Sequence, residues 1–375
     1  MSERHAGGDA VERVVSGQAW AEFCDALKAA GDDILRPGVT DPLDIAEGYR
    51  MLTRLLRGDL EGRLEYGYPA FPHLICTCHE TIKIVAENPD NLYLGTSLSG
   101  RYDYRIWGTR GDAKWLSFNT FAAGGFGSGN RRGTGTTLHE HQLAVEPDGT
   151  FELVLSREPR AGNWLALEPD TSSLAIRQTF LHKGTDRPAE LHIERIGAAG
   201  EAPPPLSAEH LAYALAASPA YVRAITNIGA SWAERNAAHP NVFYDAQEDD
   251  TRLFKDPQIA WHMAYVTIAP DEALLVDFVP PACDYWMLVM HNHWMETLDY
   301  RYHPVVLNSA TAARNADGSV RIVVAHTDPG VANWLSTAGH ARTILGVRWV
   351  GFDVADVVPD TQVVPWRDVS GVAPG

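Results

Sequence analysis

The constraint that bears hardest on the fold is an internal repeat of domain length. Asp148-Gly149, Pro159 and Asn163-Trp164-Leu165 return as Asp317-Gly318, Pro329 and Asn333-Trp334-Leu335 at offsets of 169 to 170, and Arg177 returns as Arg348 at 171. Upstream, Pro89-Asp90, Leu94 and Asp103-Tyr104 match Pro270-Asp271, Leu275 and Asp284-Tyr285 at an offset of 181. A period this long exceeds that of any solenoid and marks a duplicated unit of domain size. The chain has 375 residues, more than one hydrophobic core normally serves.

Within each copy the period is two. Leu92, Leu94, Thr96 and Leu98 alternate, as do Tyr102, Tyr104 and Ile106, then Trp115, Ser117 and Asn119, with Gly- and Asp-rich turns such as 108–112 between them. Further strands are expected at 143–145, 151–155, 173–180 and 189–196, with Pro147-Asp148-Gly149 as a hairpin turn. The alternating strand–helix order of a doubly wound sheet is absent. The expected fold is mainly β with helical additions: two related antiparallel β-sandwich, jelly-roll-like lobes beneath an N-terminal helical cover.

The spacing of Trp20, Phe23, Leu27 and Ala30, and of Ile45, Tyr49, Leu52 and Leu56, predicts two amphipathic helices. The breaker run 36–42 separates them, with Asp41 as the cap before Pro42. Glu201-Ala202-Pro203-Pro204-Pro205 is the clearest linker, and Ser207 opens another helix after it. The expected divisions are 1–87 helical cover and lead-in, 88–200 first lobe, 201–260 linker and helical insertion, 261–350 second lobe, and 351–375 tail. The glycine-rich run 124–133 reads as a loop. It fits neither dinucleotide nor P-loop spacing, and Ser128 lacks the Gly-x-Ser-x-Gly elbow of a nucleophile.

A formal net charge of −17 argues against nucleic acid and anionic membrane partners, both of which need clustered Lys and Arg. The first twenty residues are polar and no stretch approaches eighteen apolar positions, which leads to a cytoplasmic expectation. Cys24, Cys76, Cys78 and Cys283 are too scattered for a disulfide framework, and Cys76-Thr77-Cys78 lacks the two-residue spacer of redox and zinc pairs.

Three runs carry a family resemblance: Glu47-Gly48-Tyr49-Arg50 with Arg54, His79-Glu80-Thr81-Ile82-Lys83, and Asn88-Pro89-Asp90-Asn91-Leu92-Tyr93. With Asn315-Ala316-Asp317-Gly318-Ser319 and Ala332-Asn333-Trp334-Leu335, they resemble bacterial proteins grouped under the domain of unknown function 1214. The first β unit is also similar to the companion domain of unknown function 1254. The resemblance spans roughly 46–350 and implies a pair of β-sandwich lobes. It supplies no activity, substrate or catalytic residue.

The densest chemistry lies between His79 and Asn91. An imidazole, carboxylates, an ammonium and an amide fall within thirteen positions, offering acid, base and oxyanion donors. His79, Glu80, Lys83, Asp90 and Asn91 are the expected catalytic set. The plainer alternative is an Asx turn at 88–91. The offset of 181 keeps Pro-Asp but puts Ala269 and Glu272 against Asn88 and Asn91, so a turn explains Pro89-Asp90 and leaves the rest over. Tyr49, Arg50, Tyr93, Arg105, Trp286, Trp294 and Tyr300 are the expected substrate contacts. Trp164 with Arg177 and Trp334 with Arg348, present in both copies, read as structural: indoles in the core and guanidiniums pairing at strand ends.

A metal centre is the third possibility. His139 with His141, and His291 with His293, stand two apart, and such pairs on adjacent strands would make a cupin-like site for a divalent transition metal. Against it, the second copy has Asn308 and Ala310 where the first has His139 and His141. The leading expectation is a metal-independent lyase, isomerase or hydrolase without cofactor. It would act on a small hydrophobic molecule in a pocket between the first lobe and the helices. A non-catalytic ligand-binding or assembly protein is the alternative, and exposed sheet edges make a homo-oligomer reasonable.

Overall fold

The two-residue period becomes four sheets. A computed structural model describes residues 2–122, 134–245, 258–351 and 357–369. The glycine-rich run with Ser128, and 246–257 of the polar segment before the second lobe, lie outside the described residues.

The cover consists of α1 (Ser2–Val15), α2 (Gln18–Asp32) and α3 (Pro42–Leu60). Asp41 caps α3 as expected, its carboxylate accepting from the Leu43 amide at 2.8 Å, with Pro42 at the first helical position. A π-helical turn, Glu61–Glu65, prolongs α3.

The first lobe holds β1 (Ile75–Cys78), β2 (Asn91–Ser97), β3 (Tyr104–Thr109), β4 (Trp115–Ala122), β5 (Thr134–His139), β6 (Thr150–Ser156), β7 (Trp164–Ala166), β8 (Thr171–Thr179) and β9 (Glu190–Arg195). They form a five-stranded sheet, β1-β2-β8-β4-β5, and a four-stranded one, β7-β6-β3-β9. Leu116, Phe118 and Ile176 from the first pack against Tyr104, Ile106 and Leu153 from the second.

After the linker comes α4 (Ala208–Asn236), capped by Ser207. The second lobe holds β10 (Phe243–Asp245), β11 (Ile259–Thr267), β12 (Glu272–Phe278), β13 (Tyr285–His291), β14 (Val306–Asn308), β15 (Val320–Ala325), β16 (Trp334–Ser336), β17 (Arg342–Val350) and β18 (Asp360–Pro365), then α5 (Trp366–Val369). Its sheets, β10-β11-β17-β13-β14 and β16-β15-β12-β18, repeat the strand order of the first lobe one for one. Each lobe has one short parallel pair, β6 with β7 and β15 with β16, in otherwise antiparallel sheets.

The duplication extends to single hydrogen bonds. The Asn163 amide bridges Ala144 and the Glu152 carbonyl, as the Asn333 amide bridges Ala313 and the Arg321 carbonyl. Asp148 accepts from both the amide and hydroxyl of Thr150, as Asp317 does from Ser319. Gly149 and Gly318 both take φ of 85°, a backbone state that favours glycine.

Three expectations are corrected. Asn91 and Trp115 both pair with Thr179, while Ile259 and Tyr285 both pair with Val350. Strand β2 is therefore equivalent to β11, and the matches at an offset of 181 joined strands that do not correspond. The strand expected at 143–145 does not form, because the Asn163 side chain already satisfies the Ala144 amide and carbonyl. The expected tail instead supplies β18, which pairs with β12 as β9 pairs with β3.

The lobes are joined by buried polar bonds. The Asp90 carboxylate accepts from the Tyr285 hydroxyl at 2.7 Å and the Asn308 amide at 2.9 Å, and the Asn88 amide donates to the Tyr285 oxygen at 3.2 Å.

Candidate functional site

The outer face of each five-stranded sheet turns away from its own sandwich and is covered by helices and by the other lobe. Strand β4 is buried at every position, as a central strand covered on both faces must be. Between these faces and the helices lies a cavity of about 830 Å³.

The cavity uses the same two rows of each sheet. From the first lobe come Asn91, Thr179 and Trp115, which pair side by side, and the next row, Tyr93, Arg177 and Ser117. From the second come the equivalent Ile259 and Val350, then Trp261 and Arg348. Leu55 and Gly58 of α3, Gly62 of the π-helical turn, and Ala217, Ala220 and Tyr221 of α4 form the roof. Ile82, Ile84, Val85 and Glu87, on the segment between β1 and β2, close the side.

The polar groups in this wall are unevenly satisfied. The Tyr93 hydroxyl accepts from the Asn88 amide at 2.8 Å; burial raises its pKa, against the pull of Arg348 and Arg177. Arg348 donates to the Ala86 carbonyl and stacks over the Trp261 ring at 5.3 Å. Half-buried Arg177 makes no hydrogen bond or ion pair among the described residues. Asn91 Oδ1 and Trp115 Nε1 are buried without a hydrogen-bond partner among the described residues. Unpaired buried polar atoms are costly, and a cavity wall is where a ligand or water satisfies them.

Behind the cavity wall lies a buried charge network. Glu87 accepts from the Thr297 amide at 3.3 Å and from the Thr297 hydroxyl; burial raises its pKa, against the pull of Lys83. Lys83, 2% exposed, donates to the Thr297 carbonyl and to that of Leu298 at 3.1 Å, and burial lowers its pKa. Arg54 of α3 donates to Glu296 at 2.8 Å.

Of the expected catalytic residues, only Asn91 lines the cavity. His79 and Glu80 sit on a surface turn with the imidazole and carboxylate 3.8 Å apart. Lys83 is pinned to backbone carbonyls and Asp90 to the other lobe. Of the expected substrate contacts, Tyr93 lines the cavity. Tyr49 is exposed on α3 and Arg50 pairs with Glu47 at 2.6 Å. Arg105 lies on the four-stranded sheet between Glu152 and Glu194, and Trp286 is in the second lobe's core. Trp294 is fully buried beneath Gly48, where any Cβ would collide with the indole, and its Nε1 donates to Asp44. Tyr300 presents its ring to the ammonium of Lys83 at 5.1 Å.

The histidine pairs lie in sheets of different lobes and not on adjacent strands. His139 and His141 stack at 5.7 Å, with His141 in a 3₁₀ turn past the end of β5. His291 bonds the Ile344 carbonyl at 3.1 Å and His293 the Tyr265 hydroxyl at 3.4 Å. Burial lowers their pKa values to about 3 and about 4. Among the described residues no group of three or more His, Cys, Asp or Glu is placed to hold a metal, and no helix is long and apolar enough to cross a membrane.

Trp164 and Trp334, expected in the core, are half-buried instead, and their indoles donate to the Ser156 and Ala325 carbonyls. Arg177 and Arg348 do not pair at strand ends; both line the cavity. Glu87 and Trp115 were not anticipated at all. The available signal was the repeat, which kept an arginine on the polar face of a central strand in both copies.

Fold and site together define a duplicated pair of β-sandwiches around one shared cavity. The chain belongs to the family described as Protein of unknown function (DUF1214), which matches 91–179, from β2 to β8, and 273–350, within β12 to β17. A crystal structure of an uncharacterised protein from Burkholderia cenocepacia is similar over 96% of this chain and 99% of that one, at 42% identity and a TM-score of 0.91. The VPA0106 protein from Vibrio parahaemolyticus is 11% identical over 84% of this chain and 98% of its own, with a TM-score of 0.49, too low to bear on the site. No curated protein matches the sequence.

The Glu296 carboxyl is a test of the buried network. Burial pushes it up to about 7 from an ordinary 4.5, against the pull of Arg54. The folded protein then binds more protons than the unfolded chain between those values, so stability falls as pH rises through that window. Urea midpoints at pH 5 and pH 7 are expected to show wild type losing, relative to Glu296→Gln, on the order of 3 kcal/mol or less. Parallel pH profiles for the two proteins would contradict this placement.

Proposed function

We propose that this chain is a small-molecule-binding protein whose ligand occupies the cavity between the two lobes and the helices. The observation that carries the reading is the cavity of about 830 Å³, within the size range of sites for small organic ligands. Its wall exposes more apolar than polar surface, with Leu55, Ile82, Val85, Leu174 and Ile259 set among polar side chains such as Asn91, Tyr93 and Arg177. Burying a ten-carbon chain there replaces water around apolar surface on both sides, at roughly 0.8 kcal/mol per methylene before the costs of binding.

Ala175 of β8 lines the cavity on the central strand of the first lobe. Replacing it with Phe fills space the ligand needs. Calorimetric titration with decanol is expected to give a Kd of roughly 0.1 mM or tighter in wild type. Ala175→Phe should weaken binding at least about tenfold with little change in Tm. Equal affinity in the two proteins would refute this location.

A catalytic version of the same reading has one observation in its favour. Glu87 lines the cavity with its pKa raised by burial, against the pull of Lys83, which makes its carboxyl a candidate general acid or base. Once a ligand that is turned over is identified, Glu87→Gln should lower kcat by about a hundredfold or more. An unchanged kcat would remove Glu87 from the chemistry.

A further inference from the structure

We infer that the ligand of this cavity is an organic carboxylate, its apolar body among the helices and its anionic end at Arg177 and Arg348. The inference rests on the small-molecule reading above and specifies its chemistry.

The duplication supplies the first part of the argument. Arg177 and Arg348 occupy equivalent places, each on the central strand of its five-stranded sheet: Arg177 pairs with Tyr93 and Ser117, Arg348 with Trp261 and Met287. Both side chains reach the same cavity. Two lobes folded apart would present one guanidinium each; packed with these faces inward, they present two to one cavity.

The second part is the absence of internal neutralisation. Among the described residues the cavity has two carboxylates in its wall, and both are engaged. Asp59 pairs with Arg63 at 2.7 Å, four positions along the same helical run. Glu87 takes both the amide and the hydroxyl of Thr297. Neither bonds Arg177 or Arg348. A guanidinium carries five N–H donors in a planar fork suited to a carboxylate. Arg348 spends a donor on the Ala86 carbonyl, and Arg177 spends none among the described residues.

The third part is independent of charge. Trp115 Nε1, on a residue 4% exposed, is a buried donor without a hydrogen-bond partner among the described residues, one strand row from Arg177. The Tyr93 oxygen, on the neighbouring strand of the Arg177 row, already accepts from Asn88 and keeps its own proton to donate. Arg177, Trp115 and Tyr93 thus offer donors here against the one unpartnered buried acceptor Asn91 Oδ1, a balance that suits an acceptor-only carboxylate better than a hydroxyl or an amine. Leu55 and Ala217 of the helices, with Ile82, offer apolar contact.

The test is calorimetric titration of the full chain with decanoate and with decanol, which share a body and differ in the head group. Wild type is expected to bind decanoate about ten- to a hundredfold tighter than decanol, the gain of a charge-assisted hydrogen bond. Arg177→Gln should erase that preference, with a cooperative thermal melt close to that of wild type showing the variant folded; Arg348→Gln should reduce it. Equal affinity for the two compounds in wild type, or a preference that survives Arg177→Gln, overturns the inference and leaves the apolar cavity standing. Failure of both compounds to bind at millimolar concentration sinks the cavity reading and this inference with it.

Discussion

Everything in this molecule depends on what covers the second face of a sandwich sheet. A sandwich buries one face of each sheet; here the five-stranded sheets have their other face covered too, so β4 is buried at all eight positions and β13 at all seven. In the second lobe that cover is tight, with Trp232 and Ala233 of α4 packed on Met263, Tyr265 and Ile344. In the first lobe it is incomplete, and the gap is the cavity. Asymmetry between two copies of one fold thus makes the site.

Polar bonds hold the arrangement. Asp90, Asn88, Tyr285 and Asn308 join the lobes in low-dielectric surroundings where each bond matters more and each missing partner costs more. The Arg54–Glu296 pair and Lys83 fasten the helical cover and the lead-in to the second lobe. Removing one member of such a network strands its partner, which is why buried charges of this kind fix geometry more than they add stability.

Much of the fold was legible in the sequence. The repeat at 169 to 171 and the two-residue period placed both lobes, and Asp41 and Ser207 marked their helix starts. The offset of 181 misled because Pro-Asp is common turn chemistry, while equivalence is set by strand pairing that local identity does not report. The strand β18 was missed because its pattern is that of a polar edge, with Asp360, Gln362 and Val363 exposed.

The site was less legible, again for a physical reason. The run from His79 to Asn91 is rich in reactive groups because it crosses the junction of helices and both lobes, where buried polar residues are needed as connectors. Lys83 and Asp90 look catalytic in sequence and are bonded to Leu298 and Tyr285 in the fold. Arg177 was read as structural because strand alternation shows that it faces outward but not that α4, at 208–236, and the second lobe enclose that face.

The most direct test of the account is a crystal structure of the full chain soaked with decanoate. The account predicts density for the chain inside the cavity, with the carboxylate within hydrogen-bond distance of the Arg177 guanidinium and the tail beneath Leu55 and Ile82. An empty cavity at saturating decanoate, or the carboxylate bound away from both arginines, would contradict it.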